Sequence, residues 1–165
     1  VGDTSVHEYP TSEQMAEMAI SAARVVRLFG FDPKVAFVSH STFGQPLTNR
    51  TKHIKNAVEI LKNKNVNFEF DGDMQPDVAL NREYQNLYPF SKIVGNANIL
   101  IMPGQHSAAI SYKMMKELGD TKVIGPLLIG LGLPIEIAPL RSSTSEILNL
   151  ASIAAYSADV IDYKK

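Results

Sequence analysis

Between residues 11 and 29 the apolar side chains Met15, Met18, Ala19, Ala22, Val25, Val26 and Phe29 share one face of a 3.6-residue period, which predicts an amphipathic helix. Thr11 or Ser12 can cap its start, and Gly30 ends it. The run Lys34 to Ser39, short and β-branched after Pro33, reads as a buried strand. Ile54, Ala57, Val58 and Leu61 then recur at helical spacing, with Lys52, Lys55, Asn56, Glu59 and Lys62 on the opposite face, predicting a second surface helix.

Residues 67–70 alternate as a strand does, and the polar segment DGDMQPD at 71–77 reads as a turn leading to a short helix or turn that ends near Asn81. Residues 82–93 read as loop, and 98–102 (NILIM) as a strand that Pro103 and Gly104 break. Ser107 to Leu118 is predicted helical, with Gly119 as its stop. A further strand is expected near Lys122, and two short strand pieces within 125–139, where Gly and Pro forbid a continuous helix. Ser143 and Glu146 have capping-box spacing, and Ile147, Leu150, Ala151, Ala154 and Ala158 should form the buried stripe of a last helix. Met15, Met18, Met114 and Met115 read as core filler. This alternation of helices and strands predicts an α/β layered domain with a mixed, largely parallel sheet. Ligands in such folds collect beyond the carboxyl ends of strands, which directs attention to the loops at 39–45, 71–77, 102–107 and 138–143.

Composition narrows the picture. A chain of 165 residues, 45% hydrophobic and 20% charged, is expected to form a single domain spanning 1–165. Its net charge of −1 gives no field for a nucleic-acid backbone or an anionic bilayer, so neither is an expected partner. The absence of cysteine removes disulfides, thiolate metal sites and a thiol nucleophile, and points to the cytoplasm. The longest apolar stretch, Val123 to Ile135, is interrupted by Gly and Pro and falls short of the ~20 residues of a spanning helix. The chain begins at Val1 without a basic or apolar leader, which suggests a fragment or a processed product.

The loop SHSTFGQ at 39–45 offers Ser39, Ser41, Thr42, one imidazole and the permissive Gly44 just before a helix, a setting for phosphate or carboxylate, or simply a turn satisfied by its hydroxyls. Asp71, Asp73 and Asp77 invite acid–base or divalent-cation chemistry, although their spacing does not match a calcium loop and suits ordinary turns, so no metal is expected. Ser41, His106 and Asp73 make a triad on paper without a nucleophile-elbow sequence to support it. The four histidines, His7, His40, His53 and His106, lack zinc-hydrolase spacing and read as structural.

Taken together, SHSTFGQ (39–45), FDGDMQPDVAL (70–80), YPFSKIVGNANILIMPGQHSAAISYKMMKELG (88–119) and TKVIGPLLIGLGLPIEI (121–137) resemble the phosphate acetyltransferase family, and more closely its version fused to the C-terminus of hybrid bacterial NADP-dependent malic enzymes. The resemblance runs from about residue 34 to residue 158. It implies a three-layer α/β/α sandwich of the isocitrate and isopropylmalate dehydrogenase type, with a coenzyme A site in a cleft between two subdomains. This chain would be mainly the second subdomain, with the first and the malic enzyme catalytic domain upstream. NADP and Mg²⁺ or Mn²⁺ would belong to that upstream domain, and no GxGxxG fingerprint follows a strand here.

Active members of the family carry a Ser-Arg pair and then an Asp where this chain has Pro139, Leu140 and Glu146, and a phosphate-binding Arg where it has Glu117. Arg141 is displaced from the pair by one position. Acetyl transfer to a thiol needs a base near the sulfur and cations around a dianionic phosphate, and these positions supply neither. The resemblance therefore implies a non-catalytic domain that binds acetyl-CoA or CoA as an allosteric effector and assembles at least a homodimer. Its ligand contacts would come from Ser39, Ser41, Thr42 and Gly44, from Pro103, Gly104, Gln105, His106 and Ser107, and from Arg141. Two alternatives stand beside it: a working phosphate acetyltransferase that uses Arg141 and Glu146 as shifted substitutes, and a dimerisation module that has lost the ligand.

Overall fold

The computed structural model describes residues 1–119 and 122–160, arranged as two compact units, Val1–Tyr112 and Lys113–Lys165. In the first unit, α1 (Ser12–Leu28), β1 (Lys34–Val38), α2 (Asn49–Asn63) and β2 (Glu69–Met74) are followed by α3 (Pro76–Leu80), α4 (Arg82–Gln85), β3 (Ile99–Ile101) and the start of α5 (Gln105–Leu118). The three strands form a parallel sheet in the order β2-β1-β3. All strand pairings are thus parallel, and the antiparallel component of the expected mixed sheet is not found among the described residues.

Side chains along β1 alternate between two buried faces. Val35 and Phe37, with Phe70, Ile99 and Ile101, pack against Met15, Ala16, Ala19 and Ala23 of α1 and Ile54, Ala57, Val58 and Leu61 of α2. Ala36 on the other face meets Met74, Val78, Ala79, Ile93 and Ala97, while Val38 meets Met102 and Ala108. The sheet is therefore the middle of three layers. Parallel strands buried on both faces need nearly continuous apolar runs, which is why KVAFV was legible as a strand. Capping boxes close both long helices at their starts, Thr11 with Gln14 and Thr48 with Thr51. On α1 the buried stripe is narrower than the sequence pattern, and Phe29 beyond its end is exposed.

Other expectations need correction. DGDMQPD is not a turn throughout, because Asp71 to Met74 continue β2 and the turn comes only at Gln75. Residues 82–93 include the four-residue helix α4, whose N-cap Asn81 accepts the Glu83 amide at 2.9 Å. No strand forms near Lys122 or within 125–139 among the described residues. Pro126 and Pro134 cannot donate to a ladder, and the amide of Leu128 is taken by the Glu136 carboxylate at 3.0 Å instead. The 138–143 loop consequently follows no strand.

In the second unit, α6 (Thr144–Val160) starts where the capping box predicts, but of its expected stripe only Leu150 is buried. Leu150 and Ser157 are its buried residues, whereas Ile147, Ala151 and Ala158 are exposed and Ala154 is half-buried. Met114 and Met115 are likewise exposed, unlike the buried Met15. Helical periodicity identifies an apolar face; it does not say whether the same unit covers it.

Candidate functional site

In the first unit the β1 and β3 loops leave the carboxyl edge of the sheet. Residues 39–45 follow β1 and lead to α2; residues 102–107 follow β3 and open α5. The first of these is held by the end of β2 and by Gln75 after it, with Asp73 making three of the contacts. The pairing of β1 with β2 runs Phe37 to Gly72 and then Val38 to Met74, so Asp73 is the extra residue of a bulge. Gly72 makes the bulge possible: a Cβ there would lie 2.7 Å from Phe37 Cβ and 2.8 Å from the Phe37 carbonyl oxygen. The Asp73 carboxylate, 3% exposed, accepts the hydroxyl of Ser41 and, at 3.0 Å, the amide of Gly44. Its own carbonyl accepts the Phe43 amide at 2.6 Å.

The remaining hydroxyls of the loop are also engaged. Ser39 Oγ accepts the Ser41 amide at 3.1 Å, the Ser39 amide donates to the Met74 carbonyl, and Thr42 Oγ1 accepts the Gln75 amide at 3.2 Å. Ser39, Ser41 and Thr42 are buried, so what the loop offers to solvent is the exposed His40 and Gln45 and the half-buried Phe43 and Gly44. Phe43 sits at φ +51°, with its ring 4.8 Å from Phe90 and 5.5 Å from Tyr88. This aromatic cluster escaped the sequence reading, because nothing in the spacing joins residues 43, 88 and 90.

At the second loop, Gly104 is required by close approach: a Cβ would stand 2.9 Å from the Glu8 carbonyl oxygen, which also accepts the Gln105 amide at 3.3 Å. Ser107 Oγ donates to the Gly104 carbonyl at 2.8 Å, and Pro103, Gly104, Gln105 and Ser107 are half-buried beside the exposed His106. A concavity near Pro103 is lined by Tyr9, Pro10, Met15, Arg50 and His53. Within it His53 Nε2 donates to the Pro10 carbonyl at 2.8 Å and Nδ1 lies 3.2 Å from Ser12 Oγ, a structural role that ties α2 to the start of α1.

The paper triad is not assembled. Ser41 bonds Asp73 directly, leaving no place for an imidazole between them, and His106 on the first turn of α5 bonds neither. The acidic trio is also committed elsewhere: Asp71 accepts the amides of Gly72 and Lys92 at 2.9 and 2.8 Å, and Asp77 accepts the Val78 amide at 2.9 Å. Among the described residues no group of three acidic or imidazole side chains could hold a metal ion.

The second unit contains the remaining candidates. Pro139, Leu140 and Arg141 are exposed, as is Glu117 near the end of α5. Glu146 Oε2 accepts the Ser143 amide at 2.7 Å and the Ser143 hydroxyl at 2.9 Å, while Lys116 stands 3.4 Å from Oε1. The Ser143 amide and hydroxyl, with Lys116 behind them, hold the Glu146 carboxyl below its ordinary range. A carboxylate so stabilised is a weak proton acceptor for a thiol. Glu136 differs: burial raises its carboxyl against the opposing pull of the Leu128 amide.

Comparison with known proteins fits this fold. The family described as Phosphate acetyl/butaryl transferase matches residues 1–155. An NADP-dependent malic enzyme of Rhizobium meliloti (strain 1021) is 48% identical over 158 residues, covering 96% of this chain and 21% of that protein. A phosphate acetyltransferase of Clostridium acetobutylicum is 35% identical over 158 residues, covering 94% of this chain and 47% of that protein. The structure of the EutD phosphotransacetylase from Staphylococcus aureus superposes with a TM-score of 0.90 at 30% identity, covering 95% of this chain and 49% of that one. The chain thus spans about a fifth of the malic enzyme and about half of the acetyltransferases.

Proposed function

The chain belongs to the Phosphate acetyl/butaryl transferase family, and from that premise we propose that it is the regulatory, non-catalytic acetyltransferase-like domain of an NADP-dependent malic enzyme. Acetyl-CoA is its effector, and decarboxylating oxidation of malate is the work of a separate domain that holds NADP and a divalent metal. The observation that carries this reading is the state of Glu146. Its carboxylate is engaged by Ser143 and Lys116 in the cap of α6, and Pro139 and Leu140 before it bring neither base nor cation. A domain so equipped keeps the family's fold without the means to deprotonate a thiol or clamp a phosphate dianion.

The 48% identity to the malic enzyme of Rhizobium meliloti, over 96% of this chain, supports the same assignment. A homo-oligomeric state is supported by the large apolar side chains that the second unit exposes, among them Leu140, Leu148, Tyr156 and Val160. No helix among the described residues is long and apolar enough to cross a membrane, and the chain contains no cysteine; a cytoplasmic location accords with both. The test is kinetic: malate oxidation by the full-length protein should respond saturably to acetyl-CoA, and the protein should form no acetyl-CoA from acetyl phosphate and coenzyme A. Formation of acetyl-CoA that disappears with Arg141→Ala would instead establish a working acetyltransferase.

A further inference from the structure

We infer that Asp73 is the positioning residue of the acetyl-CoA site, holding the 39–45 loop in the conformation that receives the ligand; this rests on the reading of the chain as an acetyl-CoA-binding domain. Three separate points of one loop converge on it. The Ser41 hydroxyl and the Gly44 amide bond its two carboxylate oxygens, and the Phe43 amide bonds its carbonyl. These contacts bracket Phe43, the residue held at φ +51°, a backbone conformation that non-glycine residues seldom adopt. The bonds on either side supply what keeps it there and set its ring against Phe90 and Tyr88.

The arrangement is specific to a bulge. In a regular strand the residue after Gly72 would pair with Val38, but Met74 takes that register and leaves Asp73 outside the ladder. A buried carboxylate needs donors, and the ones it finds all lie in the loop. The half-buried Phe43 ring and Gly44 and the exposed Gln45 are therefore placed by a residue that need not touch the ligand. Asp73 acts by removing the conformational freedom that the loop would otherwise lose on binding.

The test compares the full-length protein with its Asp73→Ala, Asp73→Asn and Ser41→Ala variants by amide hydrogen exchange and by calorimetric titration with acetyl-CoA. In Asp73→Ala the Gly44 amide should exchange about tenfold faster or more, with strand amides such as Ala36 unchanged, and acetyl-CoA should bind about tenfold more weakly. Asp73→Asn keeps an oxygen for the Gly44 amide and offers its own amide to Ser41 Oγ, so it should recover most of both losses. Should Asp73→Ala not fold, Ser41→Ala removes one contact and should weaken binding in the same direction by less. Unchanged Gly44 exchange would overturn the clamp. Faster exchange with unaltered affinity would overturn its role in binding while leaving the acetyl-CoA reading intact. No binding to the unmodified protein would overturn that reading and this inference together.

Discussion

Ser41 donates its hydroxyl to the carboxylate of Asp73, 32 residues further along the chain, and both side chains are buried. The bond fastens the β1–α2 loop to β2 at the carboxyl edge of the sheet. Replacing Ser41 with Ala would leave the buried carboxylate one donor short, at a cost of about 1–3 kcal/mol. Urea denaturation should show that loss as a lower midpoint with an unchanged slope.

Gly72 permits the bulge, and its replacement should be among the most damaging small substitutions in the chain. In Gly72→Ala the new Cβ meets the Phe37 backbone, which cannot swing aside as a flexible side chain does, and overpacking of this kind costs about 1–3 kcal/mol. Gly132→Ala, where nothing lies within 4 Å, should change stability by less than about 0.5 kcal/mol. Thermal melts of the two variants side by side would check the contrast.

The first unit was largely legible in the sequence, because helices and strands buried on defined faces leave a period in the chain: Ile54, Ala57, Val58 and Leu61 are all core. The bulge was not, since Asp71 and Asp73 read as turn residues and only donors distant in sequence, the Ser41 hydroxyl and the Gly44 and Lys92 amides, explain carboxylates inside a strand. Gly72 was the available signal, as an isolated glycine within a strand often marks a bulge. The stretch from 125 to 139 failed for the opposite reason, since its apolar residues suggest strands for which its prolines leave gaps in the donors. The loops at 39–45 and 102–107 leave the strand ends as the alternation of elements predicts, but the hydroxyls expected to face a ligand satisfy the loops themselves.

Glu146 should titrate below the ordinary glutamate value of 4.5, because the Ser143 amide and hydroxyl favour its ionised form. A depressed folded-state value means that the cap is complete above the ordinary carboxyl range and is lost as pH falls through the lowered value. Carboxyl carbon shifts followed by NMR would measure the midpoint, and a value at or above 4.5 would restore Glu146 as a candidate base. Ser143→Ala should move the midpoint upward.

Asp3 should behave in the same direction at the other end of the chain. Burial alone would raise its carboxyl, but the amides of Ser5, Val6 and His7 and the His7 ring together pull it below the ordinary 3.8. The turn they form should therefore hold above that value and loosen only as pH falls through the lower one. Exchange of the Ser5 and Val6 amides, compared between the unmodified protein and Asp3→Asn, would reveal it.

On the proposed function the domain binds a coenzyme A ester without transferring its acetyl group. Calorimetric titration of the full-length protein with acetyl-CoA tests it most directly. A saturable heat with acetyl-CoA is expected, weakened by Asp73→Ala and indifferent to Glu146→Gln. An absence of heat at millimolar acetyl-CoA would contradict it.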